Sequence, residues 1–193
     1  VTTAALTDRL SALIADEERI GVVLQDKLIV DLEAANRALE RNPAYPSLPM
    51  PADMRALVGR YEYGMKARLY EIVNDIVANK RVAATPRPAY IHDLASVRTL
   101  APIQPRKILN AAVNFYSHVN ETGTAEEQKK AAEERRKTRG VPYLFLKPTE
   151  GAIVGNGANV VIPYGRDRID WEVELGIVIG RAAKYVPANK AAE

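Results

Sequence analysis

Asp170-Trp171-Glu172-Val173-Glu174-Leu175-Gly176-Ile177-Val178-Ile179-Gly180 is the stretch on which the fold turns. Its β-branched and apolar content and its length predict a strand. Successive side chains of a strand alternate between faces, so Trp171, Val173, Leu175, Ile177 and Ile179 share one face and predict a core contact. Asp170, Glu172, Glu174, Gly176 and Val178 share the other. Neighbouring same-face positions lie roughly 6.5–7 Å apart at Cα, close enough for Glu172 and Glu174 to converge on one ion. Unpaired, the two charges repel, and burial would raise both pKa values. A hard divalent cation removes both costs, and oxygen-only ligation suits Mg²⁺, Mn²⁺ or Ca²⁺. The alternative is the wet face of an amphipathic strand.

Upstream of this strand, Gly151–Asn159 carries Gly151, Gly155 and Gly157, which is turn chemistry. It is no phosphate loop, because no Gly-Lys-Ser/Thr follows. Tyr143–Leu146 reads as a short strand ending in Lys147-Pro148. A lysine there can meet a substrate carboxylate as a point charge, or be an ordinary surface lysine. Lys107–Val113 reads as another strand, followed by Asn114-Phe115-Tyr116-Ser117-His118-Val119-Asn120-Glu121. Polar loops after strands commonly present reactive groups. His118 and Glu121 are one helical turn apart, so the carboxylate can orient the imidazole for general-base work. A capping or solvent histidine is the alternative. Thr124–Arg139 is densely charged, with Glu126/Lys130 and Glu133/Lys137 at i,i+4 spacing. It predicts a solvated helix or, functionally, a weakly anchored lid.

The first hundred residues alternate differently. Leu6, Leu10, Leu13 and Ile14 predict a helix over 4–16. Two β-rich runs around Asp26-Lys27 predict a hairpin within 19–32. Residues 33–41 read as helix, and 42–51, with four prolines, as a loop. Ala52–Asn79 carries an apolar stripe from Met54 to Ile76, with Gly59 and Gly64 as candidate breaks. Val82–Ile91 reads as a linker containing His92's approach, and His92 itself receives no role. The domain boundary is expected between 82 and 105, giving an N-terminal region over 1–100 and a second domain over 105–193.

The chain has 193 residues, 47% hydrophobic and 26% charged, enough to bury a core without staples. With no cysteine, disulfide scaffolds, thiol nucleophiles and thiolate metal sites are excluded. Two histidines exclude a three-histidine metal site. Lys plus Arg is 27 against 24 acidic residues, a net +3 with the signs interleaved. That balance argues against a nucleic-acid partner, as does the absence of aromatic residues in the basic run 129–139. No segment reaches the apolar length of a membrane span or secretory signal. The expected location is cytoplasmic, and the missing initiator Met suggests trimmed first residues.

Asn-Phe-Tyr-Ser-His-Val-Asn-Glu (114–121), Leu-Phe-Leu-Lys-Pro (144–148) and Asp-Trp-Glu-Val-Glu-Leu-Gly-Ile-Val-Ile-Gly-Arg (170–181) occur in this order. So arranged, residues 105–193 resemble the fumarylacetoacetate hydrolase family. Val160-Val161-Ile162-Pro163 fits the same pattern, and residues 19–32 look like that family's small N-terminal β region. Asn114, where hydrolases acting on fumarylacetoacetate itself carry an Asp ligand, places the likeness with the acylpyruvase-like branch. The resemblance implies an α+β protein. Its catalytic domain would be a rolled, mostly β fold, incomplete here, preceded by a smaller α/β region, and paired as a homodimer. It implies a Mg²⁺-type ion held by Glu172 and Glu174. His118 with Glu121 would activate water, and Lys147 and Tyr116 would lie against the substrate. Because the family's next Asp ligand and a further Lys fall beyond Glu193, the protein is expected to continue past that residue.

The expected activity is metal-dependent carbon–carbon hydrolysis of small keto or diketo acids, acylpyruvate-like or fumarylacetoacetate-like, as in aromatic catabolism. Decarboxylation or isomerisation of related acids is the alternative within the family. A catalytically silent binding or assembly module is the alternative outside it.

Overall fold

The computed structural model describes residues 18–119, 121, 123–138 and 142–191; the helix expected over 4–16 lies outside them. The described residues mix helix and strand and fall into two compact units. One takes its residues from up to Thr99 and from Gly157 onward, and the other is Leu100–Asn156.

In the first unit the predicted hairpin is present. Strand β1 (Gly21–Leu24) pairs antiparallel with β2 (Leu28–Asp31), with Val22 opposite Val30. Gln25 and Asp26 both take positive φ, 54° and 55°, and Lys27 N–H donates to the Leu24 carbonyl at 3.2 Å. Turns with two positive φ values match the right-handed twist of the flanking strands. A third strand, β3 (Ile91–Asp93), adds antiparallel to β2, giving the order β1-β2-β3. The linker expected over 82–91 therefore ends inside the sheet, with Ile91 buried in the core. A three-residue strand is too short to display a period, and Pro86 and Pro88 dominate the local signal.

Chain reversal from β2 into helix α1 (Leu32–Leu39) is made by Asp31, whose side chain caps the helix by accepting from Ala34 N–H at 3.1 Å. Its other carboxylate oxygen accepts from Arg19 at 2.6 Å. Leu32, Ala35, Asn36 and Leu39 are buried, the i, i+3, i+4, i+7 stripe of a core-facing helix. Helix α2 (Met54–Gly59), capped by Asp53, and helix α3 (Lys66–Ala78) occupy the predicted long helical stretch. The break falls between them. Tyr63 leaves helical geometry and Gly64 takes φ 104°, a conformation that only glycine adopts without strain.

Leu28, Val30, Leu32, Ala35, Leu39, Leu57, Ile72, Ile76 and Ile91 form the core, between the three-stranded sheet and the helices. A charged group sits at its edge. Arg68 on α3 is only 2% exposed, yet every face of its guanidinium is used. It donates to Asn36 Oδ1 and the Pro46 carbonyl, each at 2.6 Å, to Glu71 at 2.9 Å and to Glu40 at 3.4 Å. Asn36 in turn donates to Glu40 and to the Leu48 carbonyl, both at 3.0 Å, and Leu48 N–H donates to Glu40 at 2.7 Å. Thus the proline-containing loop is clamped to α1 and α3 through its backbone. The Leu48 N–H above all, with Asn36 and Arg68, holds the Glu40 carboxyl below its ordinary value of 4.5, against the opposing effect of burial.

The second unit is smaller in its regular structure. Strands β4 (Ile108–Ala111) and β5 (Leu144–Lys147) pair antiparallel, with Ile108 opposite Lys147 and Ala111 opposite Leu144. Between them lie the single turn α4 (Tyr116–Val119) and helix α5 (Ala125–Lys137). Both strands and the charged helix were predicted. Among the described residues, none of this unit is fully buried.

The strand expected over 170–180 is not formed. This segment has no regular structure, and Trp171, Val173, Leu175, Ile177 and Ile179 are 77–88% exposed, so the predicted core face has no core. An alternating pattern states which face a strand would bury. The strand itself needs neighbours for its N–H and C=O groups and a layer for its apolar face. No described residue supplies that ladder.

Arg68→Ala should destabilise the first unit by about 3–5 kcal/mol in urea unfolding, because it strands buried acceptors; a loss below about 1 kcal/mol would contradict the clamp. Because the folded-state pKa of Glu40 is depressed, its contribution is present above the ordinary carboxylate range and is lost as pH falls through and below about 4.5. The stability difference between wild type and Glu40→Gln should therefore shrink on acidification from pH 7 to 3.

Candidate functional site

The residues singled out by sequence fall in both units. In Leu100–Asn156, β4 runs into Ala112, whose N–H donates to the Tyr143 carbonyl at 2.9 Å and so extends the pairing with the β5 side. Val113 then takes φ 49°. For a β-branched residue this left-handed conformation is strained, and it redirects the chain out of the strand. Asn114 and Phe115 follow, and Tyr116–Val119 closes the single turn of α4. The Tyr116 side chain lies outside the described ones.

The turn does what the spacing predicts. His118 Nδ1 lies 3.0 Å from Glu121 Oε2, with His118 44% and Glu121 62% exposed. Glu121 N–H donates to the His118 carbonyl at 3.3 Å, so backbone and side chains close the same turn. A carboxylate on Nδ1 orients the ring and leaves Nε2 as the nitrogen that can take a proton. Lys147 ends β5 opposite Ile108 and is exposed.

Helix α5 borders this segment, and α4 packs against it. Thr124 and Glu127 form a reciprocal capping box: Thr124 N–H donates to Glu127 Oε2 at 2.7 Å, and Glu127 N–H donates to Thr124 Oγ1 at 3.3 Å. The bond from the Thr124 N–H, with the one from the Thr124 hydroxyl, holds the Glu127 carboxyl below its ordinary range. Only Gln128 and Ala132 along this helix are half-buried. One turn further, Arg135 Nη1 donates to the Val113 carbonyl at 2.7 Å. Neither Val113 nor Arg135 stood out in the sequence. Valine carries no mark of a positive φ, and an arginine in a charged run looks like its solvated neighbours.

Glu172 and Glu174 belong to the other unit, on the segment without regular structure, and both are exposed. As oxygen donors they suit a hard divalent ion in kind. In number they fall short, because among the described residues no three His, Asp or Glu side chains gather where an ion could sit. The described residues therefore do not make up a metal centre. Also among the described residues, no helix is long and apolar enough to cross a membrane.

Comparison with known proteins bears on the same segments. Residues 107–193 match the family described as fumarylacetoacetate (FAA) hydrolase C-terminal. A maleylpyruvate hydrolase of Aquipseudomonas alcaligenes is 30% identical over 179 residues, 92% of this chain and 55% of that protein. A fumarylacetoacetate hydrolase domain-containing protein 2 homolog of Dictyostelium discoideum is 26% identical over 174 residues, 90% of this chain and 45% of that one. A mitochondrial oxaloacetate tautomerase of Bos taurus is 31% identical over 113 residues, 58% of this chain and 31% of that one. The chain thus spans about a third to a half of the length of the curated relatives it matches. The match over 107–193 takes in His118, Glu121, Lys147, Glu172 and Glu174, so this part of the chain is similar to the C-terminal domain of the fumarylacetoacetate hydrolase family.

Proposed function

We propose that the protein acts on small keto acids, cleaving a carbon–carbon bond by hydrolysis, with the His118–Glu121 pair as its proton-transfer device. The observation that carries this reading is the 3.0 Å contact between His118 Nδ1 and Glu121 Oε2 inside the family-matched segment. In the reaction, Lys147 meets the substrate carboxylate as a point charge. His118, aligned by Glu121, takes a proton from water through Nε2. The hydroxide attacks the carbonyl distal to the carboxylate. The carbon–carbon bond breaks, the acyl part leaves as a carboxylic acid, and the electron pair passes to the keto-acid fragment, which regains a proton as pyruvate or a relative. The maleylpyruvate hydrolase relative supports this class of substrate.

The oxaloacetate tautomerase relative supports a second reading. There the same pair moves a proton between carbon and oxygen of the keto acid, and no water attacks.

Three further elements belong to this proposal. Glu172 and Glu174 are the donors this chain would offer to a Mg²⁺-like ion, with Mn²⁺ or Ca²⁺ as substitutes. Residues 105–193 form part of a rolled, mostly β catalytic domain. Two copies pair as a homodimer. Five apolar side chains at alternate positions of 170–180, all solvent-exposed here, support the last two.

His118→Ala should lower hydrolysis of an acylpyruvate by about 10²–10⁴-fold; hydrolysis at the wild-type rate would remove His118 as the base. Isothermal titration with Mg²⁺ or Mn²⁺ should lose its binding heat in Glu172→Gln/Glu174→Gln while the His118→Ala variant keeps it. Equal heats in the double variant and wild type would remove the two glutamates as donors.

A further inference from the structure

We propose that Arg135 is a positioning residue. By donating to the Val113 carbonyl it holds the strained start of the 113–121 segment, and through it the alignment of His118 with Glu121. The inference rests on the proposed role of that pair.

Two observations meet here. First, the segment bearing the pair begins at a residue that does not favour its own conformation. Val113 has φ 49°, and a β-branched side chain makes the left-handed region costly, so the local chain by itself would relax toward an extended backbone. Relaxation would re-aim everything after it, because Asn114, Phe115 and α4 follow without a break. Second, something outside the segment grips that very residue. Arg135 Nη1 reaches the Val113 carbonyl at 2.7 Å, across 22 positions of sequence. The bond has a charged donor, which strengthens it relative to a neutral pair.

The helix that carries Arg135 packs against α4. Its half-buried positions, Gln128 and Ala132, lie in line with Arg135 at i, i+4 and i+7, so the face turned to the body is polar or small. Gln128 bonds to the Gly123 carbonyl at 3.2 Å, close to the helix's own start. Arg135 instead ties the far turn of α5 back to the end of β4. The helix and the segment therefore steady each other through this side chain. An arginine suits the task because its fork keeps several donors in a fixed plane at the end of a long reach.

Hydrogen exchange read by mass spectrometry on the full chain tests this without substrate. In Arg135→Ala, amides of 114–119 should exchange about fivefold faster, while those of 91–93 in β3 keep the wild-type rate. Arg135→Lys, whose ammonium still donates, should recover part of that protection. Where turnover of a keto acid is measured, kcat should fall in Arg135→Ala with KM unchanged, because the pair is misaligned while the substrate's contacts remain. Unchanged exchange over 114–119 in Arg135→Ala overturns the proposal, as does a lysine variant indistinguishable from the alanine. Lost protection in a protein that turns over no keto acid would instead overturn the hydrolase reading and uphold Arg135 as the tie.

Discussion

The buried guanidinium of Arg68 is the constraint on which the first unit depends. A cation taken out of water at 2% exposure is costly unless each donor finds an acceptor. Those acceptors come from three places along the chain: Asn36 and Glu40 at the end of α1, the Pro46 carbonyl in the loop, and Glu71 one turn along α3. Satisfying Arg68 therefore settles where the loop crosses the helices, and with that how α1 and α3 approach each other over the sheet. The apolar core of Leu32, Leu39, Ile72 and Ile76 supplies the driving force, which has no direction of its own. The polar cluster supplies the geometry.

The family-matched part of the chain obeys a different rule. Among its described residues none is fully buried, and its order comes from hydrogen bonds instead of a core. The β4–β5 pair, the Thr124–Glu127 capping box and the reach of Arg135 to Val113 are all of this kind. Two strands alone bury little and are marginal in water. A site built in this way is adjustable. The His118–Glu121 pair sits on the turn that follows Val113, whose backbone is strained and whose carbonyl accepts from Arg135.

His118 and Glu121 were legible in the sequence because three residues make one helical turn, and a turn brings their side chains together wherever it forms. Glu172 and Glu174 read in the sequence as a pair on one face of a strand, and that strand is not formed. Their assembly was not legible, since a face exists only once neighbours pair with the backbone. The positions of Val113 and Arg135 could not be read from the sequence at all. One depends on a backbone angle that valine does not announce, the other on a contact between residues 22 apart.

Local chemistry in the sequence was enough for the hairpin of β1 and β2, α1, the proline loop, the glycine break before α3, β4, β5 and α5. In each of these the deciding forces act within a few residues: capping, alternation, helical periodicity, fixed φ. Tertiary structure alone decided that Ile91–Asp93 joins β2, that Arg68 is buried, that 170–180 stands without a ladder, and that α5 is tied to the end of β4. Those outcomes depend on which distant groups meet. A linear pattern states what each segment could bury or bond, and only the assembled chain determines whether a partner is there to receive it.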